Sequence, residues 1–139
     1  MTITIPVTVT DEQKLEIAKT FISALKNNDW SLMTSILMPE ASWTLPGTSI
    51  LSGLASGAEA IVTRTQSLKK FGVRFELKHI LIGYDSVALS LHNTATRGDL
   101  MLDEQVAIVM KLKGDKIQYV TTLLSDVDGI NQFFVPGII

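Results

Sequence analysis

The chain has 139 residues, 46% of them hydrophobic, no cysteine and a net charge of −2, which is the composition of one globular domain. It excludes intrinsic disorder, a disulfide scaffold and thiol chemistry. Twelve basic residues balance fourteen acidic ones without a basic run, which argues against a nucleic-acid partner, and no stretch is long enough to span a membrane.

The opening residues alternate Ile3, Ile5, Val7 and Val9 with threonine and place Pro6 among them, so residues 1–10 read as an edge strand or a tail. They lack the basic flank and continuous apolar run of a signal peptide, and a cytoplasmic location is expected. Thr10 and Gln13 form a capping box, and Leu15, Ala18, Phe21, Ile22 and Leu25 follow at helical spacing, predicting a helix over 11–26. Asn27 and Asn28 break it. Asp29 caps a second, short helix with Met33, Ile36 and Leu37 on its buried side, ended by Pro39. Residues 41–45 form a short strand that stops at Pro46-Gly47.

Ser56 and Glu59 make a second capping box, and Ile61, Thr65 and Leu68 line one side of a third helix that Gly72 ends. From there the chain is strand: 73–82, 87–96, 102–113 and 116–124. Its connections, Gly83-Tyr84-Asp85, Arg97-Gly98-Asp99 and Gly114-Asp115, are short, so the four strands form an antiparallel meander. Residues 127–139 are an apolar C-terminal segment that either closes the domain or buries against another subunit. The whole, residues 1–139, is a single α+β domain: three N-terminal helices on a curved antiparallel sheet forming a cone with an apolar pocket.

The strand at 87–96 locates that pocket. Val87, Leu89 and Leu91 alternate with Ala88, Ser90 and His92, and the same period puts Asn93 on the apolar side. An amide there needs hydrogen-bond partners or a cavity, because burying it unsatisfied costs roughly 1 to 3 kcal/mol. Carried through the meander, the parity places Trp43, Leu45, Leu91, Asn93, Glu104, Ile108, Met110 and Thr122 on the pocket face. His79 continues the row of Val73, Phe75 and Leu77; it is either a proton carrier near neutral pH or a satisfied core residue. His92 falls on the outer face, where a subunit contact is expected. Neither histidine stands in a ligand-spaced motif, so no metal and no cofactor is expected.

Residues 18–30 (Ala-Lys-Thr-Phe-Ile-Ser-Ala-Leu-Lys-Asn-Asn-Asp-Trp), the Pro-Glu-Ala-Ser-Trp-Thr-Leu-Pro-Gly segment at 39–47, Ser52-Gly53, Gly114-Asp115-Lys116-Ile117 and Ser125-Asp126 stand in this order of elements. In them the chain resembles the nuclear transport factor two-like superfamily, which includes ketosteroid isomerases, SnoaL-like polyketide cyclases and limonene epoxide hydrolases. The resemblance implies a cystatin-like α+β cone and a homodimer. It also implies that Phe21, Leu45 and Ile108 stand where ketosteroid isomerases keep their tyrosine, base and protonated acid; all three are apolar, so that mechanism lacks its groups. By likeness to SnoaL-like cyclases, Asp126 near the end of the last strand is the general acid and base, with Asn93 and His79 positioning or polarising the substrate oxygen. The bland alternative is that Asp126 caps the segment after it. Phe21 joins Trp43 and Leu45 in shaping the cup.

The expected function is a cofactor-free, SnoaL-like enzyme of the cyclase or isomerase type, acting by proton transfer on a small apolar cyclic carbonyl compound. The alternatives are a non-catalytic small-molecule binding or dimerisation module, and an epoxide hydrolase using Arg97, Asp99 and Asp126. For the last, Arg97-Gly98-Asp99 sits at a predicted hairpin, where glycine and aspartate are ordinary turn residues.

Overall fold

The computed structural model describes residues 9–136. The elements are α1 (Asp11–Asn27), α2 (Trp30–Ser35), β1 (Leu37–Leu45), β2 (Gly53–Ser56), α3 (Ala58–Lys70), β3 (Arg74–Ile82), β4 (Ser86–Arg97), β5 (Leu100–Lys113), β6 (Lys116–Leu124) and α4 (Val127–Phe133). The edge strand or tail expected at residues 1–10 falls outside the described residues except for Val9 and Thr10.

The capping box of α1 forms as the sequence requires: Gln13 N–H donates to Thr10 Oγ1 at 3.1 Å, and Thr10 N–H donates to Gln13 Oε1 at 2.8 Å. Ile17, Ala18, Phe21, Ile22 and Leu25 are its buried stripe, and Asn28 ends it in the left-handed conformation at φ 55°. Asp29 Oδ1 accepts from Leu32 N–H and caps α2. That helix stops at Ser35, short of Pro39, because Ile117 N–H takes the carbonyl of Ile36 and Leu37 pairs with Ile117 as the chain enters β1. Pro39 lies inside β1, where the pairing register shifts between Leu37 and Ser42 and no ladder donor is needed from it.

The capping box expected at Ser56 and Glu59 does not form. Ser56 is the last residue of β2, opposite Ser42, and Gly57 starts α3 at φ 96°, a conformation that glycine adopts without strain. Strand pairing wins Ser56 because Gly57 N–H donates to Ala41 O at 2.7 Å and fixes the β2 end against β1.

One six-stranded sheet runs in the order β2-β1-β6-β5-β4-β3. The expected meander is β3 to β6, antiparallel throughout. The sheet as a whole is mixed, a correction to the all-antiparallel expectation, because β6 returns beside β1 running parallel to it. Everything from β2 to β5 lies between those two strands in sequence, which gives the long connection that a parallel pair needs. A further correction is the helix count: the three expected helices precede the meander, and α4 follows it. α1 packs against β3 and β4, α3 against β1 and β2, and α4 against β5, so the core lies between helices and the inner sheet face.

Candidate functional site

β4 is buried at every second residue from Val87 to Ala95, the alternation that puts Asn93 inside. β5 pairs with it so that Asn93 stands directly opposite Glu104. Asn93 is 9% exposed and Glu104 only 2%. Asn93 Oδ1 and Glu104 Oε2 are both buried without a hydrogen-bond partner among the described residues. Native structures leave few such atoms, and each needs an explanation.

Both residues line a narrow cavity with a free volume of about 40 Å³, room for a few water molecules. The wall is otherwise apolar apart from Thr122. Trp43 and Leu45 come from β1, Leu68 from α3, Phe75 from β3, Ile108 from β5, Thr122 and Leu124 from β6, and Ile130 and Phe134 from α4 and its end. Trp43 Nε1–H donates to Thr122 Oγ1 at 2.5 Å, which satisfies the indole and fixes the ring. Arg64 of α3 holds the backbone behind it, donating to Trp43 O at 2.7 Å and Gly53 O at 3.0 Å. None of the lining residues is a cation.

Burial holds the Glu104 carboxyl above its ordinary pKa. The backbone N–H of Asp126, donating to Oε1 at 3.0 Å, and the Ser125 hydroxyl pull the other way, while repulsion from the carboxylates of Asp126 and Asp103 adds to the rise. A neutral carboxyl in an apolar wall is a hydrogen-bond donor and a source of one proton. Asn93 beside it can present its carbonyl or, with the amide turned over, its NH₂.

Of the residues expected to shape the site, Trp43, Leu45, Asn93, Glu104, Ile108 and Thr122 line this cavity. Phe21, Leu91 and Met110 are fully buried but belong to the core and not to the lining. Phe21 stacks edge-on against Trp43, with ring centroids 6.1 Å apart. His79 needs correcting. A bulge between Leu77 and His79 reverses the side-chain alternation of β3, so His79 pairs with outward-facing Ser90 and is exposed. Asp126 is also exposed and outside the lining. It caps α4, its Oδ1 accepting from Gly129 N–H at 3.0 Å, the contact that the bland alternative expects. His92 is half-buried on the outer face, where its Nε2 meets Asp103 Oδ1 at 2.6 Å.

Ile130 and Phe134 were legible only as part of an apolar tail with two possible destinations, and over the described residues they close the cavity. Leu68 was legible as the inner side of α3, yet helical spacing alone does not say which inner residue reaches a cavity. Among the described residues no cluster of histidine and carboxylate side chains has a geometry that could hold a metal ion, and no described helix is long and apolar enough to cross a membrane.

No family model and no curated protein matches the sequence. Solved structures do. Bal32a, from a soil-derived mobile gene cassette, superposes with a TM-score of 0.82 at 28% identity, over 88% of this chain and 97% of that one. An NTF2-like protein from Burkholderia xenovorans superposes at 0.78 with 14% identity, over 90% of this chain and 98% of that one. The chain has the fold of NTF2-like proteins. A candidate polyketide cyclase from Sinorhizobium meliloti shares the architecture at a TM-score of 0.64 and 15% identity, over 78% of this chain and 94% of that one. NTF2-like folds host many chemistries, so activity has to be argued from Glu104, Asn93 and their cavity.

Proposed function

We propose that the cavity takes a small, uncharged, mostly apolar cyclic carbonyl compound, and that Glu104 is its general acid and base. The observation that carries this is the Glu104 carboxyl: 2% exposed, one oxygen without a partner, opposite Asn93 in an apolar wall. Glu104 takes the role that the sequence offered to Asp126.

In its neutral form Glu104 donates its proton to the ligand's carbonyl oxygen. The carboxylate left behind accepts a proton from the carbon next to that carbonyl. One proton has been gained on oxygen and one lost from carbon, so the net change is a tautomerisation and the acid is regenerated. Asn93 orients the oxygen, and Trp43 with Ile108 and Leu124 holds the ring. The absence of a cation from the wall disfavours carboxylates and phosphates, since a buried anion needs a partner. The free volume of about 40 Å³ is smaller than a ring, so a one-ring ligand enters only as the apolar wall yields, and a fused polycycle is disfavoured further. The shared architecture with a candidate polyketide cyclase supports a carbonyl substrate.

The second copy expected for this chain fits the outer sheet face. Leu81 and Leu123, 58% and 56% exposed, project there beside Ala107 and Val109. An apolar face of this kind is covered in a dimer.

The test is a thermal-shift screen of wild type and Glu104→Gln against one-ring ketones, lactones and aromatic acids. Neutral carbonyl compounds should raise the melting temperature of both proteins, and wild type alone should convert them. Binding to both without conversion would make the chain a binding module, and stabilisation by acids alone would remove the carbonyl assignment.

A further inference from the structure

Asp126 is exposed, yet its contacts reach Glu104 from two sides. Its side chain caps α4 through Oδ1 and Gly129 N–H, and that turn directs its own backbone N–H back to Glu104 Oε1 at 3.0 Å. The other carboxyl oxygens meet at Gly129. A methyl group on Gly129 would stand 2.8 Å from Glu104 Oε2 and 2.9 Å from Asp126 Oδ2, closer than real side-chain contacts allow. Both oxygens therefore crowd a space that only hydrogen fills, and Gly129 is the residue that lets α4 sit over the Glu104 carboxyl.

We propose that Asp126 is a positioning residue for Glu104: its N–H aims the carboxyl, and the cap at Gly129 sets its carboxylate as a like charge beside it. This rests on Glu104 being the working acid of the cavity. A helix cap alone would be served equally by asparagine or serine. What those residues lack is the charge. The charged groups acting on Glu104 are Asp126 from the start of α4 and Asp103 from β5; the groups beside it from β4 and β6, Asn93, Thr122 and Leu124, are uncharged. Burial is the main cause that favours the neutral form; the two carboxylates add to it, against the hydrogen bonds from Asp126 N–H and Ser125.

The experiment is a pH titration of the side-chain carboxyls by carbon-13 NMR in glutamate-labelled protein, with the Glu104 signal assigned by its loss in Glu104→Gln. Asp126→Asn keeps the capping oxygen and the backbone N–H and removes only the charge. Asp128→Asn, two residues further along the same exposed turn, is the control, and Asp126→Ser is a second neutral cap. The Glu104 midpoint should lie above those of the other glutamates in wild type, fall in both Asp126 variants and stay in Asp128→Asn. A midpoint unchanged in both Asp126 variants, or moved as far by Asp128→Asn, would overturn the proposal. The readout needs no ligand. A lowered midpoint with no ligand ever converted would remove the catalytic function and leave Asp126's role standing; conversion with an unmoved midpoint would do the reverse.

Discussion

Asn93 and Glu104 face each other across β4 and β5, and each keeps an oxygen that no hydrogen bond reaches among the described residues. Two orphaned acceptors side by side in an apolar wall would cost stability if their only purpose were packing. A ligand that brings a donor to Asn93 Oδ1 and accepts a hydrogen bond from the neutral Glu104 carboxyl satisfies both.

The raised pKa of Glu104 has a consequence for stability. The folded state holds this proton more tightly than the unfolded chain does, so the contribution is complete below the ordinary glutamate range and is lost as pH rises through the folded value. Glu104→Gln removes that dependence. Urea denaturation from about pH 4 upward should show wild type losing stability relative to the variant, by about 1.4 kcal/mol for every pH unit that separates the folded midpoint from the unfolded one. A difference that stays constant with pH would show that Glu104 titrates normally.

The hydrogen bond from Trp43 Nε1 to Thr122 Oγ1 is buried. Thr122→Val keeps the shape and leaves the indole N–H unsatisfied. It should destabilise the protein by about 1 to 3 kcal/mol, measured by urea denaturation. A loss within error of zero would mean that the indole finds another acceptor.

Phe134 is 3% exposed, lines the cavity and packs against Phe71 and Phe133 with ring centroids 5.0 Å and 5.4 Å apart. Phe134→Ala should cost about 3 to 5 kcal/mol. The same variant should accept larger ketones in the thermal-shift screen, because it removes a wall of the cavity. Lost stability with an unchanged ligand range would place the size limit elsewhere.

Leu123 sits on the outer face opposite Ala107. Light scattering should give the mass of two chains for wild type and of one for Leu123→Glu, since a charge in an apolar contact has no partner. A monomeric wild type would show that this face is left open.

The meander was legible because β4 alternates cleanly and the turns are two or three residues long, and the first helix was legible from a capping box that forms. Ser56 misled because a capping pattern is local, while the pairing of β2 with β1 is a contact over many residues that no short window shows. His79 misled for a related reason: parity counting assumes an unbroken ladder, and the bulge after Leu77 shifts it by one. Asn93 was found by the same counting, since β4 has no bulge. Parity also puts Glu104 on the pocket face, but a strand beginning at residue 102 would leave it open to solvent near the strand start. β5 in fact begins at Leu100, which puts Glu104 well inside it, and α4 covers it. The parallel pairing of β1 with β6 leaves no sequence pattern that differs from an antiparallel one.

The most direct measurement of the central claim is proton exchange on a bound ketone. A cyclic ketone identified by thermal shift is incubated with the protein in deuterated water, and deuterium uptake at the carbon beside the carbonyl is followed by NMR. Wild type should accelerate uptake well above the buffer rate, while Glu104→Gln binds the ketone and leaves uptake at background. Equal uptake in both proteins, or none in either despite binding, would contradict the assignment of Glu104 as the acid and base of this cavity.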